Sequence, residues 1–95
     1  MEAIGTNKLD EFAKEHADVK SQLQSWLAEV REMNWVTLND IKERYVSASF
    51  LKNNIVVFNL KGNRYRLVVK VDYKSKIVLI KQIGTHAEYS KWNLE

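Results

Sequence analysis

Two apolar stripes at helical spacing follow each other in the first third of the chain. The first begins after Thr6 or Asn7, either of which can cap a short helix running to about His16. The second follows Asp18, which is predicted to be its N-cap. It consists of five residues on one helical face: Val19, Leu23, Trp26, Leu27 and Val30. Since almost no loop separates the stripes, they predict a hairpin of two helices with Trp26 in the core.

A third, shorter helix is predicted to begin after Thr37. Asp40 stands three residues later, where a capping box usually has Glu, and the helix is expected to run through Tyr45. Residues 46–54 are predicted to form a loop that ends in a turn. Trp35, before this helix, is open to two interpretations, a core residue or a platform on which a nucleic-acid base stacks.

From residue 55 onward the apolar period changes to two. Ile55–Leu60, Arg64–Tyr73 and Ile77–Ile83 are rich in β-branched and aromatic residues, as strands are. The first turn contains Gly62, which can adopt positive φ, and residues 74–76 make the second. Three strands joined by tight turns predict an antiparallel β-meander.

The middle strand separates into two faces. Its apolar face consists of Tyr65, Leu67, Val69, Val71 and Tyr73. Because such a face must be covered, we expect the helical hairpin to pack on it. The predicted fold class is α+β, a helical hairpin plus a short third helix on a small antiparallel sheet, in a single domain of residues 1–95. Residues 1–5 are only weakly strand-like. The opposite face is expected to be exposed and cationic.

Composition removes several function classes. The chain has no cysteine, which excludes disulfides and thiolate zinc sites, and its two histidines lie on different predicted elements. No metal site and no cofactor are therefore expected. No apolar run approaches the ~20 residues of a membrane span, and the N-terminus lacks a signal-peptide pattern, so a cytoplasmic protein is expected.

The net charge of +3 is unevenly distributed. Residues 1–50 contain six Lys/Arg and nine Asp/Glu, whereas residues 51–95 contain nine Lys/Arg and three Asp/Glu. A basic half is typical of proteins that bind a polyanion, but a solvated lysine-rich sheet face explains the charge equally well.

Two cations on the predicted strands are candidates for a site. Arg66 lies mid-strand, where a rigid guanidinium fork could bind a phosphate; the alternative is an ion pair with Asp72 or Glu88. Lys81 follows a run of four apolar residues and could point either to solvent or into a site.

The C-terminal segment adds candidates for proton transfer. Thr85 can cap a final helical turn, with Glu88 three residues later. His86 and Tyr89 are then spaced i, i+3, a spacing that places a histidine and a phenol on one face as a possible acid–base pair.

Three segments together resemble the HigB-type toxins of the RelE-like toxin–antitoxin superfamily. They are Phe58-Asn59, the run from Gly62 to Val68, and the run from Ile83 to Tyr89. Features of the N-terminal half agree with the resemblance: Trp26 to Val30, Asn34-Trp35, Asp40 to Lys42, and Tyr45 before a Ser-Ala-Ser stretch. The resemblance implies a RelE-like microbial RNase fold.

The resemblance also implies a function, a metal-independent endoribonuclease that cleaves mRNA, generally on the ribosome. The 2′-hydroxyl attacks the adjacent phosphate and leaves a cyclic phosphate and a 5′-hydroxyl. It assigns phosphate binding to Arg66 and Lys81, and proton transfer to His86 and Tyr89. The remaining cations expected to contact RNA are Lys61, Arg64, Lys70 and Lys91. The implied partner, besides mRNA, is a helix-turn-helix antitoxin.

Two positions depart from the family pattern. Ser90 follows Tyr89 where Asp is common, and Lys81 stands where Arg is usual. Two other functions also remain open: an RNA- or ribosome-binding module without catalysis, and a gyrase-directed toxin of the same superfamily. The gyrase-directed branch tends to lack the four proposed catalytic residues.

Overall fold

The computed structural model describes residues 1–94, which form four α-helices and five β-strands. The elements in chain order are β1 (Glu2–Ile4), α1 (Asn7–Glu15), a 3-10 turn (Ala17–Val19), α2 (Lys20–Glu32), α3 (Leu38–Arg44), β2 (Ser49–Leu51), a second 3-10 turn (Lys52–Asn54), β3 (Ile55–Leu60), β4 (Tyr65–Asp72), β5 (Ile77–Thr85) and α4 (His86–Tyr89). The predicted α+β class is confirmed.

The strands form one sheet in the order β1-β5-β4-β3-β2. The predicted meander is its centre, since β3, β4 and β5 pair antiparallel in sequence. The sheet as a whole is mixed, because β1 pairs with β5 in parallel. The weakly signalled N-terminal strand is therefore real, and it pairs along only Ile77 to Leu79 of β5.

The expectation of a loop over residues 46–54 is wrong in part, because β2 lies inside it. Ser49–Leu51 pairs with Val57 to Ile55, across a 3-10 turn in which Asn53 and Asn54 both have φ of 61°. Asparagine tolerates this left-handed conformation better than other non-glycine residues. A strand of three residues is stabilised mainly by its pairing with β3. Its own residues therefore give only a weak strand pattern in the sequence.

Helices α1, α2 and α3 cover one face of the sheet, as predicted. Leu23, Trp26 and Val30 of α2 are buried against the alternating apolar residues of β4, including Leu67 and Val69. Burying each such side chain contributes roughly 1.5–3 kcal/mol.

Trp35 also belongs to the core. It is only 2% exposed and meets Tyr45 edge to face, with ring centroids 6.5 Å apart. The base-stacking interpretation of Trp35 is therefore wrong.

One predicted helix cap is confirmed and another is wrong. At the start of α3 the Asp40 carboxylate accepts hydrogen bonds from the backbone N–H groups of Val36 (2.8 Å) and Thr37 (3.1 Å), as expected. Asp18, in contrast, does not cap α2, which begins at Lys20. Its carboxylate accepts instead from side chains at the start of β4, because a cation there offers a stronger partner than an N–H of its own helix.

The face of the sheet opposite the helices, called here the Arg66 face, carries Arg66, Val68 and Lys70 of β4. The expectation that this face is exposed is wrong in part, because Lys70 is exposed but Arg66 and Val68 are buried. A second apolar cluster forms on it around Ile55, Val57 and Val68. The partly buried side chains packed against this cluster are Leu51, Tyr89, Trp92 and Leu94. The segment after β5 folds back onto the sheet because its apolar side chains are thereby removed from water.

Candidate active site

Arg66 occupies the middle of the sheet. In β4 it lies opposite Asn59 of β3 on one side and Gly84 of β5 on the other. Its side chain is only 9% exposed, which makes it the single buried charged residue within residues 1–94. A charge at such a position is held rigidly by two neighbouring strands.

The guanidinium of Arg66 is not neutralised by a carboxylate. Its Nη1 donates to the backbone carbonyls of Asn63 (3.1 Å) and Tyr65 (3.3 Å), and it makes no ion pair within the described part of the chain. Asp72 accepts instead from two backbone N–H groups of the following turn. The alternative in which Arg66 pairs with Asp72 or Glu88 is therefore wrong, and no carboxylate of the described residues forms an ion pair with its guanidinium.

Tyr89 lies against Arg66. The Cζ atom of the guanidinium is 5.5 Å from the centroid of the phenol ring, within the range of a cation–π contact. The ring belongs to α4, a single helical turn. Arg66 and Tyr89, predicted to act together, are thus adjacent in the structure.

The predicted capping box at the start of α4 is confirmed. The Thr85 hydroxyl accepts from the Glu88 N–H at 3.2 Å, and the Glu88 carboxylate accepts from the Thr85 N–H at 2.9 Å. The latter bond is the first cause that lowers the pKa of Glu88 below its usual value. Glu88 is thereby engaged with the helix start and does not bind Arg66.

His86 is placed near this pair but does not contact it. Its backbone N–H donates to the Arg64 carbonyl at 3.0 Å, which continues the β4–β5 pairing by one residue. The side chain is exposed and makes no ring contact or hydrogen bond in the region that the structure describes. The structure therefore brings together Arg66 and Tyr89 and leaves the imidazole of His86 apart.

Lys81 lies at an irregularity of β5. Val68 pairs with Gln82 and Val69 with Ile80, so Lys81 is an extra residue, as in a β-bulge. Its carbonyl accepts from the Lys8 ammonium at 3.1 Å. Lys81 is exposed and lies three residues before Gly84, about 10 Å along the strand from the position of Arg66.

The four expected RNA contacts are spread over the molecule. Lys70 is exposed on the Arg66 face, about 13 Å from Arg66 along β4. Lys61 is exposed in the β3–β4 turn, and Lys91 is exposed after α4. Arg64 is exposed too, but its guanidinium donates to Asp18 at 2.9 Å. Of these four residues, Lys70 is the one that belongs to a strand and lies on the Arg66 face.

Two residues of this region escaped sequence analysis, Gly84 and Trp92. Gly84 is buried opposite Arg66, and Trp92 packs above it. A glycine inside a strand often marks a close approach of another group, but the predicted strand ended at Ile83, whereas β5 continues to Thr85 and contains Gly84. Which group approaches could not be inferred, because Trp92 follows the last predicted element.

The described residues provide neither a cluster of metal ligands nor a membrane-spanning helix. Residues 1–94 contain no group of three or more His, Cys, Asp or Glu side chains that could hold a metal ion. The longest helix among them has 13 residues, and no helix is both long and apolar enough to cross a bilayer.

The sequence also matches the model of a known protein family. The sequence model of the family described as HigB_toxin, the RelE-like toxic component of a toxin–antitoxin system, matches residues 19–92, well over half of the chain. The chain belongs to the HigB_toxin family. No curated protein matches it.

Membership of the HigB_toxin family defines the protein as the toxin of a toxin–antitoxin system, with a cognate antitoxin as partner. The matched region begins just before α2 and ends at Trp92, so it includes β2 to β5 and α4. Arg66, Lys81, His86 and Tyr89 all lie within it. The resemblance found from the sequence is thereby confirmed at the level of the family.

Proposed function

We propose that this HigB_toxin-family protein is a metal-independent endoribonuclease that cleaves mRNA on the ribosome in the cytoplasm. The observation that carries the proposal is the guanidinium of Arg66, buried mid-sheet without a carboxylate partner and lying against the Tyr89 ring. An unneutralised fork at such a site is suited to hold a phosphate by two parallel hydrogen bonds. Endoribonuclease activity is also general among RelE-like toxins, which supports the assignment.

In the proposed reaction the 2′-hydroxyl oxygen attacks the adjacent phosphorus. The bond between phosphorus and the 5′-oxygen breaks, leaving a cyclic phosphate and a free 5′-hydroxyl. Arg66 would stabilise the negative charge that grows on the phosphate oxygens, with Lys81 as a second, single-point cation. One proton must leave the 2′-hydroxyl and one must reach the 5′-oxygen, and we assign these transfers to Tyr89 and His86.

His86 is separated from the Arg66–Tyr89 pair, and the proposed reaction requires all three residues to reach the same phosphate. Because the imidazole is exposed and contacts neither residue, the bound RNA has to bridge them. Catalytic contacts are often long in an enzyme without its substrate and shorten in the complex. We assign to the ribosome the role of holding the mRNA so that it reaches both His86 and the Arg66–Tyr89 pair.

The cognate antitoxin is proposed to carry a helix-turn-helix domain and, with the toxin, to repress their shared operon. Free toxin would then act only when the antitoxin is depleted.

The deciding experiment is expression of the toxin without its antitoxin, with mapping of mRNA 5′ ends. We expect growth arrest with cuts inside reading frames, and the fragments should carry 5′-hydroxyl ends. The Arg66→Lys variant, which keeps the charge and loses the planar fork, is the matched control and should cut far less. Growth arrest with intact mRNA would refute the nuclease and favour binding without catalysis.

Ribosome dependence is tested with purified toxin. One sample contains free mRNA and a second contains the same mRNA on programmed ribosomes. We expect cleavage only in the second. Equal cleavage in both samples would show that the ribosome is not required.

A further inference from the structure

We infer that Trp92 and Gly84 are positioning residues that hold Tyr89 against Arg66. Four successive contacts on the Arg66 face connect Arg66, Gly84, Trp92 and Tyr89 and lead back to Arg66. Arg66 lies opposite Gly84 across β4 and β5, Gly84 supports Trp92, Trp92 meets Tyr89, and Tyr89 lies over Arg66. The inference rests on the proposed nuclease function, since it concerns the geometry of the same site.

The contact between Gly84 and Trp92 depends on the missing side chain. A Cβ atom placed on Gly84 would lie 2.8 Å from both Cζ2 and Cη2 of Trp92, and 3.2 Å from the Glu88 carboxylate oxygen. Carbon atoms in contact are normally 3.5–4.0 Å apart. The indole ring therefore occupies the space that only a glycine leaves at this position.

Backbone conformation does not explain the glycine. Gly5 and Gly62 have positive φ, but Gly84 does not. Its conformation is one that other residues adopt freely, and a glycine inside a strand weakens the strand. The close approach of Trp92 is the remaining structural reason for a glycine at residue 84.

Trp92 in turn fixes the phenol. The rings of Tyr89 and Trp92 meet edge to face, with centroids 5.9 Å apart and planes at 80°. The backbone N–H of Trp92 donates to the backbone carbonyl of Tyr89 at 3.0 Å, so the two residues are linked through their backbones as well. Both side chains also pack on the apolar cluster of Ile55, Val57 and Val68.

These four contacts matter because α4 is too short to be rigid by itself. It has four residues, and a single helical turn is not stable in isolation. The Thr85–Glu88 capping box fixes where the turn begins, and Trp92 fixes where it ends. A shift of about 1 Å in a reacting group can lower a rate on the order of 10²-fold. The position of the phenol relative to Arg66 is therefore set by residues that themselves touch no substrate.

The test is a double-mutant cycle on Gly84→Ala and Trp92→Ala, with Trp92→Phe as the conservative variant. Turnover is measured on programmed ribosomes as a function of pH. Binding is measured with an RNA that lacks the 2′-hydroxyl. Gly84→Ala should lower kcat on the order of 10²-fold, shift its pH profile and leave RNA affinity unchanged. In the Trp92→Ala background the same substitution should have little further effect, because the indole that the methyl group would meet at 2.8 Å is gone and the 3.2 Å approach to Glu88 is the contact that remains.

A second readout does not require activity. The Cζ atom of the Arg66 guanidinium lies 5.5 Å from the centroid of the Tyr89 ring, so we expect the NMR signal of the Arg66 Nε–H proton to carry a ring-current shift. The shift should be lost in Gly84→Ala and Trp92→Ala and largely kept in Trp92→Phe. Leu79→Ala is the matched control. It shortens an exposed side chain on the same strand that takes no part in the four contacts, and it should change neither readout.

The outcomes separate the two proposals. If wild-type toxin cleaves no RNA, the proposed nuclease function fails, and the Arg66 signal still reports whether Trp92 holds the phenol. If wild type cleaves, the inference is overturned by a Gly84→Ala variant with wild-type kcat. It is equally overturned if Gly84→Ala reduces kcat as much in the Trp92→Ala background as in wild type, or leaves the Arg66 signal unshifted.

Discussion

The carboxylate of Asp18 accepts a hydrogen bond from the hydroxyl of Tyr65 at 2.7 Å. The two residues are 47 positions apart in sequence, and the bond joins the junction between α1 and α2 to the first residue of β4. The same carboxylate binds the guanidinium of Arg64. Because Tyr65 immediately precedes Arg66, this contact attaches the strand of the candidate site to the helical layer.

Asp18→Asn should lower the stability of the fold in a pH-dependent way. The hydrogen bond from Tyr65, followed by the interaction with Arg64, lowers the pKa of Asp18 below its usual 3.8. A lowered folded-state pKa stabilises the fold above pH 3.8, and this contribution disappears as the pH falls through the folded-state value. Urea unfolding of wild type and variant should therefore differ at pH 7, and the difference should shrink as the pH falls below 3.8. A difference that stays the same from pH 7 to well below pH 3.8 would contradict the assignment.

Arg66→Ala should reduce cleavage on the order of 10²–10³-fold, since one preorganised cation is lost from the transition state. Arg66→Lys should recover only part of the rate because it retains the charge without the fork. Turnover on programmed ribosomes is the measurement, and circular dichroism verifies the fold. A folded Arg66→Ala variant that cuts at the wild-type rate would mean that the site is elsewhere.

His86→Gln and Tyr89→Phe should separate the two proton transfers. Each variant lacks one of the two proposed proton-transfer groups, so each should lose one limb of the pH–rate profile and keep the other. Each loss is expected to be on the order of 10²–10⁴-fold. Profiles of kcat for the two variants and wild type are compared on the same ribosome complex. If both variants retain the full profile, neither residue transfers a proton.

Lys70→Ala should weaken RNA binding through the loss of one phosphate contact on the Arg66 face. The slope of log K against log salt should become shallower by about 0.7 for a single strand. Binding of a non-cleavable RNA over a salt series measures the slope. Lys20→Ala, at the start of α2 on the helical side of the molecule, is the matched control and should leave the slope unchanged. Equal slopes for Lys70→Ala and wild type would exclude a phosphate contact.

Phe58→Ala should destabilise the protein by about 3–5 kcal/mol. The ring of Phe58 is buried and meets Trp26 and Tyr45 edge to face, with centroids 5.4 Å and 5.0 Å away. Val46→Ala, at a side chain 83% exposed, is the control and should change the free energy of unfolding by less than about 0.5 kcal/mol. Chemical denaturation measures both. A loss below about 1 kcal/mol for Phe58→Ala would mean that the core collapses into the space left behind.

Much of the fold follows from local patterns in the chain. The helical stripe of Trp26 and Val30 and the alternation of β4 define which face of each element is apolar. The capping boxes at Thr37 and Thr85 lie within four residues, so their sequence signals sufficed. Arg66 at mid-strand and Tyr89 in the last helical turn were identified in the same way, together with the family motif.

The contacts that build the candidate site come from tertiary structure alone. Asp18 contacts β4 instead of its own helix, Lys81 falls in a bulge, and Trp92 folds over Gly84. Each depends on the register and direction of segments far apart in sequence, which a local period does not contain. The chain by itself therefore determined the elements, their apolar faces and the charged residues. Packing of the C-terminal segment onto the sheet decided which of those residues meet, because apolar burial there selects one position for Tyr89 beside Arg66.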